Sequence, residues 1–533
     1  MKKYYFALII FFILIYVMPN LMTGIDPSEA EMAVEAYCSY KYEPFSLANL
    51  DNIISGFFIS LFGFTRWGIA SNGVIALIVL SISTIYVIKK CTNDYTLAAC
   101  TYLFFFSSFW ISFFIPDAVI GNSGIWGALI NFFGLGAYFM ASREEIFSVQ
   151  RISLLLLCGI LTFASLLISG LNPFFFSIIV AGIYMLSQKR YLDMLLMPIE
   201  IIFVTGLLLS ITSCVSDGCW FSWVLDGKES IIGYWSGFFD DISLVSRTLK
   251  INALFLGMGV LPILIFLPCS LSNYKHNLRE FLKRPIYKFS LIFLLTAIAF
   301  SVLNRGLTMA NLPITYLPFS FLLATGFVNY LRTNNRHRQL MVYLMIIGVV
   351  ILLAGVNLLL MSQGLWIMGI AITISGLMLI LIIKCKTEEK IAFYFFDLSL
   401  IVLAISFINS SHISLHYPSA WQVKKRVESV VGKNYPENQV AFFAHGLKNY
   451  HLLNFYFDNK IELIDDEYAG KIINNKKVIS FEEFTNILNN NNNKEIIVFN
   501  QASLQPKKDS PLAEFGKGLL YKNLGLYYFD KKK

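Results

Sequence analysis

Charge is what this chain has least of. Asp, Glu, Lys and Arg make up 14% of its 533 residues, where a soluble domain carries about 25%. With 56% of the residues hydrophobic and 16% aromatic, too few polar side chains remain to clothe a water-facing surface. That excludes an ordinary soluble globule and implies a chain that crosses a membrane many times. Cysteine numbers eight and histidine six, and no two cysteines stand in CxxC spacing, so a zinc ribbon or iron–sulfur cluster has no framework. Cys214 and Cys219 share one loop; they pair if it faces an oxidising compartment and stay thiols otherwise. The net charge of +8 does not point to nucleic acid, because the basic residues are spread over short loops near membrane ends. No internal repeat is visible, which argues against a transporter built from paired halves.

What the chain does have is apolar runs. Met1 to Met22 opens Met-Lys-Lys and then runs apolar. It is long for a signal peptide and lacks a small-residue cleavage site, so it reads as an uncleaved first helix. Further runs fall near 66–88, 95–114, 118–140, 152–171, 173–187, 191–213, 251–272, 289–303, 313–331, 340–361, 365–383 and 391–409. That makes about thirteen spans. The stretch at 53–64 is too short to cross and reads as interfacial. With the N-terminus inside, Lys and Arg divide 19 against 6, the outer six being Lys41, Arg66, Lys228, Arg247, Lys250 and Arg305. The positive-inside rule supports that orientation, and an odd span count then puts the C-terminus outside.

From about Ser410 the composition turns polar. Residues 440–445, 454–457, 495–500 and 525–530 alternate as strands, with helical patterns over 420–431 and 480–488 between them. The run Asn489 to Asn493 reads as a solvated loop. The expected architecture is therefore a polytopic α-helical membrane domain, 1–409, carrying an outer loop at 23–65, and a small α/β domain, 410–533, on the outer face.

The loops with polar chemistry share the outer side. The first, Gly24 to Asp51, gathers Asp26, Glu29, Glu31 and Glu35. Acids at a membrane surface can bind a metal, handle a proton, meet a cationic sugar or start a helix. Asp26 before Pro27 fits an N-cap, with Glu29 placed as in a capping box. Glu31 and Glu35, four apart on one face, are less well explained that way. Asp117, after a proline, opens the next outer turn; it is either an N-cap or a carboxylate with a role. Gly170 lies in a Ser-Gly-Leu-Asn turn that lets a backbone approach a phosphate, or is simply a turn. Trp223 belongs to an aromatic-rich loop that forms an interface belt or lines a lipid or sugar groove. Arg305 either faces a lipid diphosphate with its planar fork or snorkels to headgroups. Glu200 lies inside a span, toward the inner half.

In order along the chain, these features resemble the bacterial lipid A aminoarabinose transferases among the protein-mannosyltransferase-like, or GT-C, membrane glycosyltransferases. The resemblance rests on the acidic first outer loop, Leu61-Phe62-Gly63, the aspartate at Asp117, the Gly170 turn, the LPITYLP stretch containing Tyr316, and LLNFYFDNKIELID near the C-terminus. It implies a polyprenyl-phosphate sugar donor, a lipid A or related glycolipid acceptor, inversion at the sugar carbon, and surrounding membrane lipids as partners. Catalysis would fall to Asp26, Glu29 and Asp117. Substrate binding would fall to Lys41, Gly170, Arg305, Trp223 and Tyr316. A divalent metal, if used, would sit on Asp26 and Glu29. Two departures stand out: the family's catalytic aspartate falls on Ser28, and its lysine falls on Leu47, leaving Lys41 nearest.

The charge bias carries its own test. A reporter fused after Lys533 is expected to be active only outside the inner membrane, and activity in the cytoplasm would overturn the span count.

Overall fold

The computed structural model describes residues 27–42, 50–108, 123–145, 148–169, 171–189, 191–215, 242–260, 283–303, 311–332, 440–445, 457–490, 495–500, 517–521 and 524–529, with scattered single positions besides. The first expected span and those at 340–361, 365–383 and 391–409 lie almost wholly outside the described residues, as does the helix expected at 420–431. The chain divides into two compact units. One comprises 1–19 and 73–409, the other 20–72 and 410–533.

The helices of the first unit follow the apolar runs. They are α3 (Arg66–Thr92), whose first residues belong to the second unit, α4 (Tyr95–Phe106), α5 (Ser123–Ala141), α6 (Val149–Ser169), α7 (Leu171–Ser187), α8 (Tyr191–Val215), α9 (Ile242–Gly259), α10 (Pro285–Leu303) and α11 (Asn311–Arg332), preceded in the chain by α1 (Pro27–Tyr42) and α2 (Leu50–Phe62). Among the described residues, α3 is the one helix both long and apolar enough to cross a bilayer, at 27 residues. Several helices turn apolar side chains outward. Ile152, Leu156 and Ile160 do so on α6, and Ile199, Phe203 and Leu207 on α8, with Phe203 68% exposed. Contiguous apolar faces of this kind are stable only against lipid or another apolar surface.

Many hydroxyls inside these helices are satisfied locally. Ser81 donates to the Leu77 carbonyl at 2.8 Å, Thr101 to Leu97 at 2.8 Å, Thr162 to Cys158 at 2.7 Å and Thr325 to Phe321 at 2.8 Å. Each bond runs to the carbonyl four residues back, which satisfies the hydroxyl within its own helix; Ser81 Oγ also donates to the Tyr102 hydroxyl of α4 at 3.4 Å. Packing between helices is aromatic. Phe289 of α10 meets Phe139 of α5 at 5.1 Å and Tyr184 of α7 edge-on at 5.0 Å. Phe104 of α4, Phe266 and Phe327 of α11 form a second cluster with centroids 4.7 to 5.6 Å apart. Beside it, Gly326 lets α11 approach closely: a Cβ there would stand 2.7 Å from Ser270 Cα. Ser270 Oγ uses that proximity to donate to the Leu323 carbonyl at 2.8 Å.

One polar junction locks an end of this unit. Asp94 caps α4, accepting from the amides of Thr96 at 3.0 Å and Leu97 at 3.2 Å. The same carboxylate accepts a two-pronged bond from Arg332 in the last turn of α11, at 2.6 and 3.2 Å. A fork on a carboxylate is among the stronger hydrogen-bonded pairs.

In the second unit, α1 and α2 pack together. Gly56 permits it, since a Cβ there would lie 2.2 Å from the Ala36 carbonyl oxygen. The stretch read as interfacial is thus the helix α2. The C-terminal part holds a five-stranded sheet in the order β2-β1-β5-β7-β6, where β1 is Val440–His445, β2 Glu462–Ile464, β5 Glu495–Asn500, β6 Lys517–Tyr521 and β7 Leu524–Phe529. The central pairings of β1 with β2 and β5 are parallel, and β7 runs antiparallel to both β5 and β6. A two-stranded ribbon, β3 (Ile472–Ile473) and β4 (Lys476–Lys477), turns through Asn474 and Asn475, both at positive φ. Helix α12 (Phe481–Asn490) opens with a reciprocal capping box: Glu483 N–H donates to Ser480 Oγ and Ser480 N–H to the Glu483 carboxylate. It takes in Asn489 and Asn490, the start of the expected loop. The strand expected at 454–457 is not formed. Asn454 and Phe455 are helical and Phe457 is in a turn, because Asn454 turns inward to a polar network rather than joining the sheet.

Burial by itself would raise the Asp94 carboxyl; Arg332 and the amides of Leu97 and Thr96 outweigh it and hold it below the ordinary range. A carboxyl depressed by folding contributes stability that is complete above the unfolded value near ~3.9 and is lost as pH falls through the folded one. Arg332→Ala is therefore expected to lower the melting temperature in detergent near neutral pH, with the gap from wild type closing below about pH 4. Asp94→Ala, which also loses the cap, should cost about 1 kcal/mol more than Asp94→Asn. Equal melting curves for those two would remove the capping role.

Candidate active site

The outer loop is organised around Tyr37 in α1. Its ring meets Phe64 edge-on at 4.8 Å, and Phe64 meets Phe455 at 5.5 Å. An aromatic column thus runs from α1 through the turn at Gly63 into the C-terminal segment of the same unit. The Tyr37 hydroxyl accepts a hydrogen bond from Lys41 Nζ at 3.0 Å. Lys41 also lies 5.3 Å from the Tyr37 ring centre and 5.5 Å from that of Tyr42. Its hydrogen bond to Tyr37, then the electrostatics of Tyr37 and Tyr42, hold its pKa above the ordinary lysine value. Lys41 is a solvent-exposed cation whose ammonium is held by the half-buried Tyr37.

A polar knot fixes the C-terminal side of the column. Asn454 is fully buried. Its Oδ1 accepts from the Ile461 amide at 3.0 Å, and its Nδ2 donates to Asn459 Oδ1 and to the Tyr450 hydroxyl. Tyr450 in turn donates to the Ile461 carbonyl at 3.2 Å. The intervening turn places Asp458 and Asn459 at positive φ, a conformation Asp and Asn tolerate better than most residues. Asn459 Nδ2 then reaches Cys38 Sγ of α1 at 3.7 Å. A second tie, Asn72 Nδ2 to Ser55 Oγ at 2.9 Å, joins the start of α3 to α2.

The expected site residues fare unequally. Asp26, Asp117, Gly170, Trp223 and Arg305 lie outside the described residues. Glu29 is in the first turn of α1, with its side chain outside them. Glu31 and Glu35 are exposed on α1. Tyr316 is 1% exposed and its hydroxyl donates to the Leu256 carbonyl at 3.2 Å, tying α11 to α9. No cluster of three His, Cys, Asp or Glu side chains that could hold a metal occurs among the described residues, so they do not furnish a metal site. Arg66, read from the sequence only as one more outer charge, is 8% exposed at the start of α3. Asn454, Asn459 and Cys38 escaped the sequence reading. The LLNFYFDNKIELID stretch marked their neighbourhood, but its alternation reads as a strand.

The architecture is similar to that of solved structures of ArnT. Among solved structures, the chain is similar to ArnT from Cupriavidus metallidurans bound to undecaprenyl phosphate, with 13% identity, 99% of this chain and 98% of that one covered, and a TM-score of 0.68. The apo state of the same ArnT matches at 12% identity over 99% and 98% of the two chains, with a TM-score of 0.65. The archaeal oligosaccharyltransferase AglB from Archaeoglobus fulgidus, in complex with an inhibitory peptide and a dolichol-phosphate, matches at 12% identity, 94% and 69% coverage and a TM-score of 0.44. No protein-family model matches the chain, and no curated protein sequence does. At these identities the likeness is one of fold.

The knot predicts its own sensitivity. Asn454→Ala leaves the Ile461 amide buried without its acceptor, a loss of about 1–3 kcal/mol. Melting of the full chain should drop accordingly, and limited proteolysis should cut sooner between Tyr450 and Ile461. Unchanged melting would make the knot incidental.

Proposed function

We propose that this protein is a membrane glycosyltransferase that moves a sugar, most simply an amino sugar, from a polyprenyl-phosphate donor to lipid A or a related outer-leaflet glycolipid. The observation that carries the reading is the fold shared with ArnT over 99% of the chain, in a structure of that protein bound to undecaprenyl phosphate. The exposed, aromatic-oriented Lys41 supports it, because a phosphate-linked donor needs a cation at its leaving group.

The chemistry follows from the substrates. An acceptor oxygen attacks the anomeric carbon from the face opposite the donor phosphate. A carbon–oxygen bond forms, the sugar–phosphate bond breaks, its electron pair leaves with the polyprenyl phosphate, and configuration inverts. A lipid A phosphate oxygen is already ionised near neutral pH, so positioning and charge stabilisation matter more than a general base. That makes serine at position 28, in place of the family's aspartate, compatible with turnover. A hydroxyl acceptor on a protein would need the base. In this reading Lys41 and Arg305 meet the leaving phosphate, with Gly170 and Trp223 on the substrate path; Tyr316, buried and bonded to the Leu256 carbonyl, ties α11 to α9 instead. Asp26, Glu29 and Asp117 orient the sugar and acceptor. A divalent ion on Asp26 and Glu29 is the separable part of the reading, and chelation tests it. The same two departures, Ser28 and Leu47, favour a second reading, a chain that binds the lipid-linked sugar without transferring it.

Two measurements separate these readings. Mass spectrometry of lipid A and of membrane proteins, with and without the gene, should show a sugar-sized mass added to lipid A only when the gene is present. In nanodiscs with a polyprenyl-phosphate sugar, Glu29→Gln and Asp117→Asn should each lower turnover by roughly a hundredfold with melting unchanged. Asp26→Asn, which keeps an N-cap oxygen, should be the mildest of the three. Full turnover in all three would leave these acids as helix caps, and no transfer by the wild type would favour the binder.

A further inference from the structure

A cleft in the first unit is used by none of the chemistry above. It opens between α3, α5, α10 and α11 as a half-open groove lined by Val87, Cys91, Phe132, Phe139, Phe289 and Phe321 among others. The hydroxyl in its wall, Ser290, donates to the Ile286 carbonyl at 2.9 Å. Water inside would find few groups to bond, so the cleft favours a hydrocarbon occupant.

The cleft lies near the ends of α3, α5 and α10, and those ends are basic. Lys89 and Lys90 flank the lining residues Ile88 and Cys91. Arg143 lies over the ring of Phe139, itself in the wall, at 5.8 Å. Arg284 lies over Tyr287 at 5.9 Å, next to the lining residue Ile286. Lys288, between the lining residues Ile286 and Phe289, donates to the Ser187 carbonyl that ends α7. The carboxylates described at this end are Glu144, Glu145 and Asp94, and Asp94 is already paired with Arg332. Cations therefore outnumber free carboxylates around an apolar opening. This is the end that the positive-inside rule assigns to the cytoplasm, opposite the loops expected to carry transfer.

We propose that this cleft binds an anionic phospholipid of the surrounding leaflet, one acyl chain in the apolar wall and the phosphate on the rim cations around Arg143 and Arg284. A hydrocarbon slot alone would accept any lipid. Arginine and lysine at its mouth select for headgroups with net negative charge, each worth an approximately fivefold preference near a membrane surface. The inference does not depend on the transferase reading.

The test uses the full chain in detergent, with lipid retention read by native mass spectrometry and thermal melting. Phosphatidylglycerol should remain bound at one equivalent and raise the melting temperature, where phosphatidylcholine does neither. Arg143→Gln combined with Arg284→Gln, both exposed side chains, should weaken phosphatidylglycerol by tenfold or more. Cys91→Trp, which fills the cleft and leaves the rim intact, should abolish retention. Equal retention of the two lipids by the wild type overturns the proposal without any variant. So does undiminished phosphatidylglycerol binding in the double variant or in folded Cys91→Trp. Displacement of phosphatidylglycerol by equimolar undecaprenyl phosphate would reassign the cleft to the donor and overturn it as well.

Discussion

A backbone in hydrocarbon has no water to bond, and much of this structure answers that constraint. Every peptide group in such a segment must find its partner within the segment, and the helix is the way a single segment does so. Side-chain hydroxyls meet the same demand by turning onto the carbonyl four residues back, as Ser81, Thr101, Thr162 and Thr325 do. The exceptions are informative. Tyr138 reaches the Ala181 carbonyl, Tyr316 reaches Leu256, and Ser270 reaches Leu323. In each, a polar atom spans two elements and so fixes which of them are neighbours. Aromatic clusters around Phe289 and Phe104 then supply the shape-specific packing that must hold helices together where lipid is as apolar as they are.

The second unit works under different rules. Its sheet, its capping box at Ser480 and its asparagine turns are devices of a water-facing domain. Here buried polar groups are concentrated rather than dispersed. Asn454 satisfies the Ile461 amide, Tyr450 and Asn459 together, and Asn459 carries the network on to Cys38. A network of this sort is costly when incomplete and specific when complete. Through Phe64 and Tyr37 it shares a frame with Lys41, so the aromatic column that holds this cation reaches a residue more than four hundred positions away in the chain.

A fold retained at 13% identity is physically unsurprising for such a chain. Hydrophobic side chains of similar volume exchange at modest cost where the pattern of burial is kept. Chemistry is less forgiving, and the departures at Ser28 and Leu47 fall in the loop expected to carry it. An acceptor that arrives already ionised relaxes the demand for a base at the first position. The exposed, tyrosine-held Lys41 offers a cation six residues before the second.

Periodicity and composition determined the helical class, the positions of the apolar helices α3 to α8, α10 and α11, the strands at 440–445 and 495–500, and the helix after Ser480; α9 starts at Ile242, nine residues before the run expected at 251–272. These depend on local spacing, which a one-dimensional string records. The acidic first loop and its Lys41 were visible for the same reason. Tertiary structure alone decided the rest. That Asp94 and Arg332 are one junction and that Tyr316 spends its hydroxyl on Leu256 follow from partners distant in sequence, and the segment 454–457 abandons the strand its alternation announces for a turn that lets Asn454 meet Tyr450, Asn459 and Ile461. In each case a buried polar group had to find its complement, and which complement it finds is set by three-dimensional proximity that no spacing along the chain encodes.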